Sequence, residues 1–160
     1  MYQETIEKCA AVAARIKNTS ANNPLSFWIG SLMAGAYVGL GIILIFTLGN
    51  LVDPAIRPLV MGATFGIALT LVIIAGAELY TGHTMFLTFG VKTGKLNSTQ
   101  AVGILAQSWT GNLLGSIVVA YLFYLGGGGQ ILPVDGSLVH KVALAKTTAP
   151  ALALFAKGIL

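Results

Sequence analysis

Glu78, Thr81 and His83 are the side chains of this sequence best placed to do chemistry: a carboxylate, a hydroxyl and an imidazole inside an otherwise apolar stretch from Pro58 to Val91. A continuous helix over those 34 residues would run about 51 Å at about 1.5 Å per residue. The hydrocarbon core of a bilayer is only about 30 Å thick, so the stretch is too long for one ordinary span. Polar groups facing lipid cost several kcal/mol, and they are expected where the backbone breaks and lines a protein-enclosed cavity. Broken membrane helices of this kind commonly build transport sites. On that reading the helix runs to Ala77, breaks through Glu78 to Thr84 and resumes to Val91. The plainer alternative is a span from Pro58 to Ala77 with Met85 to Val91 as an interfacial stub.

A break frees backbone N–H groups, and these, with the positive end of the following helix, suit an anion. Thr81 adds a hydroxyl donor or caps the resumed helix. An ionised Glu78 would repel an anion in direct contact, so its expected task is to accept hydrogen bonds from the freed N–H groups and fix the loop; proton transfer is the alternative. His83 is expected to be hydrogen-bonded within the loop, with proton carriage as its other possible role. Phe65 and Leu69 lie four apart on one helical face upstream and read either as core packing or as an apolar constriction. Lys146, just before the last apolar segment, is either an interfacial loop lysine or a cation that concentrates anions at an entrance.

The elements that must position these residues belong to a membrane protein. Of 160 residues, 56% are apolar and 9% charged, and the mean hydropathy is +0.84. Asn18 to Val52, Pro58 to Ala77 and Leu96 to Val134 contain no Asp, Glu, Lys or Arg, and each can hold a span. The whole chain reads as one membrane domain. Residues 1–24 form an amphipathic amino-terminal helix and linker, 25–48 span 1, 58–91 a broken span 2, 99–125 span 3 and 147–160 the start of span 4. Glycines Gly126 to Gly129 are expected to end span 3, and Gln130 to Lys146 to form a mixed connection. The last apolar segment reaches Leu160 too soon to cross, so the expectation is a chain that stops inside a helix.

In the first segment Tyr2, Ile6, Cys9, Val12, Ala13 and Ile16 share one face, as in a surface helix or a docking arm for a soluble partner. No removable signal peptide is expected, because Met1 to Lys17 spread their charge and lack a compact apolar region. Small-residue pairs four apart, Gly35 with Gly39, Gly62 with Gly66 and Gly111 with Gly115, predict close helix packing. Lys8, Arg15, Lys17, Lys92 and Lys95 against Arg57, Lys141 and Lys146 favour a cytoplasmic amino terminus. The formal charge of +4 is scattered without aromatic interleaving, which argues against nucleic acid. Cys9 is the sole cysteine, with no second thiol for a disulfide and no neighbours for a metal site. Neither a paired-carboxylate site nor a nucleophile with an evident base is present, so neither an enzyme nor a cofactor is expected.

From Ala75 to Gly82 the residues Ala-Gly-Ala-Glu-Leu-Tyr-Thr-Gly closely resemble the signature loop of the formate/nitrite transporter family. The resemblance extends along the chain, including Phe27 to Gly41 and Pro58 to Gly90, and looks closest to the bacterial nitrite channel branch. It implies an all-α integral membrane fold, an aquaporin-like inverted-repeat helical bundle, of which this sequence holds the first half plus the start of the fourth span. It also implies a homopentamer embedded in membrane lipid, with one pore per subunit, in the bacterial cytoplasmic (inner) membrane. By the same resemblance Thr81 matches the pore-facing loop threonine, Leu79 and Tyr80 its neighbours in the pore wall, Phe65 and Leu69 the constriction, and Lys146 the lysine that attracts anions. Tyr80 departs from the phenylalanine or isoleucine usual there. His83 does not correspond to the pore histidine of the family, which belongs to the other half.

The function expected from this sequence is passage of nitrite and related small monovalent anions, passive or proton-linked. Formate or hydrosulfide passage is the alternative within transport, and a membrane interaction subunit the alternative outside it. A water or glycerol channel fits less well, because the Asn23–Pro24 pair precedes the first span instead of opening a half-helix within the membrane.

Overall fold

The computed structural model describes residues 2–133 and 135–159, and among these the regular structure is entirely helical. Helix α1 (Tyr2–Asn22) leads into α2 (Pro24–Leu51), α3 (Arg57–Ala75), α4 (Tyr80–Lys92) and α5 (Ser98–Phe123). A π-helical turn over Tyr124–Gly128 carries α5 into the short α6 (Gly129–Ile131), and α7 (Leu138–Thr147) and α8 (Ala151–Ile159) follow. Pro24 and Pro58 lie in the first turns of α2 and α3, where a missing N–H costs nothing. At the start of α5, Asn97 Oδ1 accepts from Gln100 N at 2.8 Å and Gln100 Oε1 from Asn97 N at 3.1 Å, a reciprocal cap. Pro24–Leu51 and Arg57–Ala75 are each long and apolar enough to cross a membrane, as is the stretch Ser98–Ile131, whose regular α-helix is Ser98–Phe123.

Helices α2 and α5 form the central seam. Gly35 lies against the Asn112 backbone, Gly111 against Ser31 and Gly115 against the Leu32 backbone, each so close that a Cβ would overlap its neighbour. Two of the three glycine pairs therefore do what their spacing predicts. The third does not: nothing lies within 4 Å of where a Cβ would stand at Gly62 or Gly66. Helix α3 packs on α2 through Ala68, which meets Gly41, and turns its glycine face away from the described chain.

Helix α1 lies along α4 and touches α2 and α5. Its buried stripe is Ala10, Ala13 and Ile16, narrower than the six-residue face expected, and Tyr2 is exposed. Small Ala13 lets α1 approach Gly90 of α4, and Ser20 Oγ donates to Gln107 Oε1 of α5 at 2.8 Å. Ala13, Ile16, Phe27, Leu87, Leu96, Ala101 and Ile104 form the core beside the helix break.

Two boundaries differ from the sequence expectation, and one agrees with it. The break between α3 and α4 spans Gly76 to Leu79 instead of Glu78 to Thr84, so Tyr80 and Thr81 belong to the first turn of α4. The glycines after Leu125 end the regular third span as expected: α5 closes at Phe123, the chain kinks where Gly127 takes the left-handed region at φ 87°, and only a short turn, Gly129–Ile131, follows. The expected connection from Gln130 to Lys146 holds most of α7, so Lys146 is in a helical last turn. Ser137 Oγ accepts from His140 N at 3.3 Å and Asn50 Oδ1 from Leu138 N at 3.1 Å, which gives α7 two caps and ties it to the end of α2. Helices α7 and α8 meet at 110°.

Candidate anion site at the helix break

Helix α3 stops because Gly76 takes the left-handed conformation at φ 62°, a region that disfavours side chains with a Cβ. Gly76 N donates to Ile73 O at 3.2 Å and Ala77 N to Val72 O at 3.0 Å, the paired bonds of a Schellman ending. The chain then runs extended, with Leu79 at φ −90° and ψ 123°, before α4 begins at Tyr80. Glu78 N donates to Gly30 O of α2 at 3.1 Å. Asn112 of α5 closes the arrangement: its Nδ2 donates to Glu78 O at 3.0 Å and to Ser31 O at 2.8 Å, while its Oδ1 accepts from Tyr80 N at 2.9 Å. One amide thus satisfies backbone groups on both sides of Leu79, in a place where each unsatisfied group would cost several kcal/mol.

Three backbone donors are left over. The N–H groups of Leu79, Thr81 and Gly82 have no partner among the described residues, and His83 N is the first to reach a helical acceptor, Leu79 O at 3.1 Å. They sit at the positive end of α4, which makes this point electrostatically suited to an anion.

These donors edge a cavity of about 620 Å³ bounded by α1, α3 and α4. It brings together Leu69, Glu78, Leu79, Thr81 and His83 of the residues predicted from sequence. Phe65, one turn before Leu69, is half-buried and outside the cavity wall. Tyr80 contributes its backbone N–H to the Asn112 clasp, and its side chain is not part of the wall. Lys146 is exposed on α7 and does not line the cavity.

Two expected roles need correction. Glu78 does not accept from the freed N–H groups: its Oε2 lies 2.8 Å from His83 Nε2, and Asn112 takes over the fixing of the loop. Thr81 does not cap α4, because Leu79 occupies the cap position and no side-chain cap bond is present. Thr81 Oγ1 has no hydrogen-bond partner among the described residues and borders the cavity. The expectation that His83 is hydrogen-bonded within the loop matches the geometry, and its ring also stacks on Phe27 with centroids 5.7 Å apart.

Asn112 escaped the sequence reading, and Gly76 entered it only as part of the signature loop. An asparagine between Gly111 and Gly115, in a stretch free of formal charge, is a polar group a membrane helix retains only with a partner. Arg15 of α1 also reaches the cavity, although sequence patterning places it on the polar face of that helix.

A formate/nitrite transporter family model matches residues 3–160. The chain is 72% identical over 160 residues to the nitrite transporter NirC of Escherichia coli K12, covering 100% of this chain and 59% of that protein. It is 31% identical to a "Probable formate transporter" of Methanothermobacter thermautotrophicus, over 91% of this chain and 53% of that one. A solved structure described as an "FNT family ion channel" superposes with a TM-score of 0.90 at 72% identity, over 95% of this chain and 61% of the other. The chain therefore spans about three fifths of the length of the two proteins it matches at 72% identity. These relatives are named as transporters and channels, in keeping with the break, its clasp and its open donors, and this chain belongs to the formate/nitrite transporter family.

Proposed function

We propose that this protein conducts nitrite, and related small monovalent anions, through a pore that passes the break between α3 and α4. The observation that carries the proposal is the set of three unpartnered backbone donors, Leu79, Thr81 and Gly82, at the edge of a cavity with otherwise largely apolar walls. Apolar surroundings make a bare anion costly, and oriented N–H groups offset that cost without presenting a compensating full charge that would trap it. Leu69, with Phe65 a turn away, forms the constriction before the donors; Leu79 and Tyr80 shape the wall at the break; and Thr81 adds a hydroxyl donor. Lys146 collects anions at a second entrance. Nitrite is favoured over formate because the relative at 72% identity is named for nitrite, whereas the one named for formate is at 31%.

The proposed location is a bacterial cytoplasmic membrane, as the family resemblance implies, and the distribution of Lys and Arg supports a cytoplasmic amino terminus. Assembly as a homopentamer follows from the family resemblance alone. Native mass measurement in detergent tests the stoichiometry. Proteoliposomes containing the full product of the gene test the activity: nitrite flux well above empty vesicles, and faster than formate flux, is expected. No flux above empty vesicles rejects the proposal, and faster formate flux reassigns the substrate.

A further inference from the structure

Glu78 stands one residue before the cap position of α4, close enough for the positive end of the helix to attract its carboxylate towards the open N–H groups of the first turn. In this fold it does not. His83, one turn into α4, draws the carboxylate away: Nε2 lies 2.8 Å from Glu78 Oε2. The ring has little freedom to give way. It is 4% exposed, stacks at 29° on the fully buried Phe27, and its Nδ1 has no partner, so the ring proton is assigned to Nε2, where it donates to the carboxylate. On the other side the Glu78 Cγ lies over Gly30, at 3.0 Å from where a Cβ would stand. The carboxylate is thus held between a fixed donor and the surface of α2 at Gly30, where a Cβ would stand close to it.

We infer that His83 is a positioning residue that keeps the site vacant: by holding the Glu78 carboxylate, it prevents that group from occupying the Leu79, Thr81 and Gly82 N–H groups that receive the permeant anion. The inference rests on the anion pathway proposed above. Without the imidazole, Glu78 becomes an internal competitor, a tethered anion seated where the mobile one must bind. Its removal together with His83 then relieves the block, which a purely structural role for His83 does not predict.

The experiment compares His83→Leu, His83→Gln and the double variant His83→Leu with Glu78→Ala, made in the full gene product and assayed for nitrite flux in proteoliposomes. Only variants that elute like the parent protein enter the comparison. His83→Leu is expected to lose roughly tenfold or more of the flux, the scale of a lost charge-assisted contact. His83→Gln, which keeps an N–H donor of similar reach, is expected to retain most of it, and the double variant to recover at least half of what His83→Leu loses. Unchanged flux in His83→Leu, or a double variant as inactive as His83→Leu, overturns the inference. Should His83→Leu not fold, a His83→Gln variant with flux as low as an empty vesicle overturns it and retained flux supports it. A second readout does not depend on transport: in His83→Leu without added anion, the Gly82 amide proton moves downfield as the carboxylate binds it, and it returns in the double variant. Absent nitrite flux in the parent protein rejects the proposed function, while this amide shift still decides where the carboxylate goes.

Discussion

The α2–α5 seam and the α3–α4 break use the same small residues to opposite ends. Along the seam, Gly35, Gly111 and Gly115 are pressed against backbone of the facing helix, which lets dispersion act over short distances in a lipid environment that offers no hydrophobic drive for association. At the break, Gly76 and Gly82 have nothing within 4 Å of the missing Cβ; the first ends α3 and the second leaves space beside an open N–H. Asn112 joins the regions, since it lies in the seam and its amide holds the break. A rigid, saturated seam is thus what permits an unsaturated site a few ångströms away.

The sharpest way to break that contrast is to place the same side chain in each region. Gly35→Leu should overlap the Asn112 backbone and cost at least about 3 kcal/mol, the upper range for overpacking, whereas Gly62→Leu should leave the monomer fold intact. Thermal unfolding in detergent reads the difference, and equal losses would contradict it. Asn112→Ala comes next: it strips partners from Tyr80 N and Glu78 O, with an expected cost of roughly 2–4 kcal/mol and a collapse of flux. A variant with the parent's melting temperature and flux would remove the clasp from the account. Thr81→Val, near-isosteric and facing the cavity, should leave stability within about 0.5 kcal/mol while lowering nitrite flux roughly tenfold. Lys146→Gln should have the smallest effect, a roughly twofold to fivefold drop at low ionic strength that fades near 1 M salt as the Debye length shrinks to about 3 Å. A loss that persists in high salt would point to direct contact instead of steering.

Much of this architecture was legible before any coordinates, because hydropathy and charge spacing speak directly to length and burial. An uncharged run such as Asn18 to Val52 must become a helix in a membrane, and α2 occupies Pro24–Leu51. The length of the stretch from Pro58 to Val91 leaves a broken span and a plain span with an interfacial stub both open, and the resemblance to the signature loop favours the break and locates it to within a few residues. Its edges were misplaced because polar side chains were taken to mark the non-helical part. The backbone breaks instead at Gly76, and Thr81 to Thr84 are polar residues on a regular helix. The partners were illegible for a different reason: Asn112 reaches Glu78 across 34 positions of sequence, and no local periodicity encodes that meeting. His83 could be assigned a hydrogen bond but not its acceptor, since the choice between the carboxylate and a backbone group depends on where Phe27 fixes the ring. Glycine spacing likewise predicted a close neighbour for Gly62 and Gly66, and none lies within 4 Å among the described residues.

The most direct measurement is an amide titration of the reconstituted protein with nitrite, following the backbone ¹H and ¹⁵N resonances of residues 76–84. Saturable downfield shifts confined to Leu79, Thr81 and Gly82, with Tyr80 unmoved because Asn112 already occupies its N–H, are the expected result. Nitrite flux with none of those three amides responding would place the anion's path elsewhere and contradict the account.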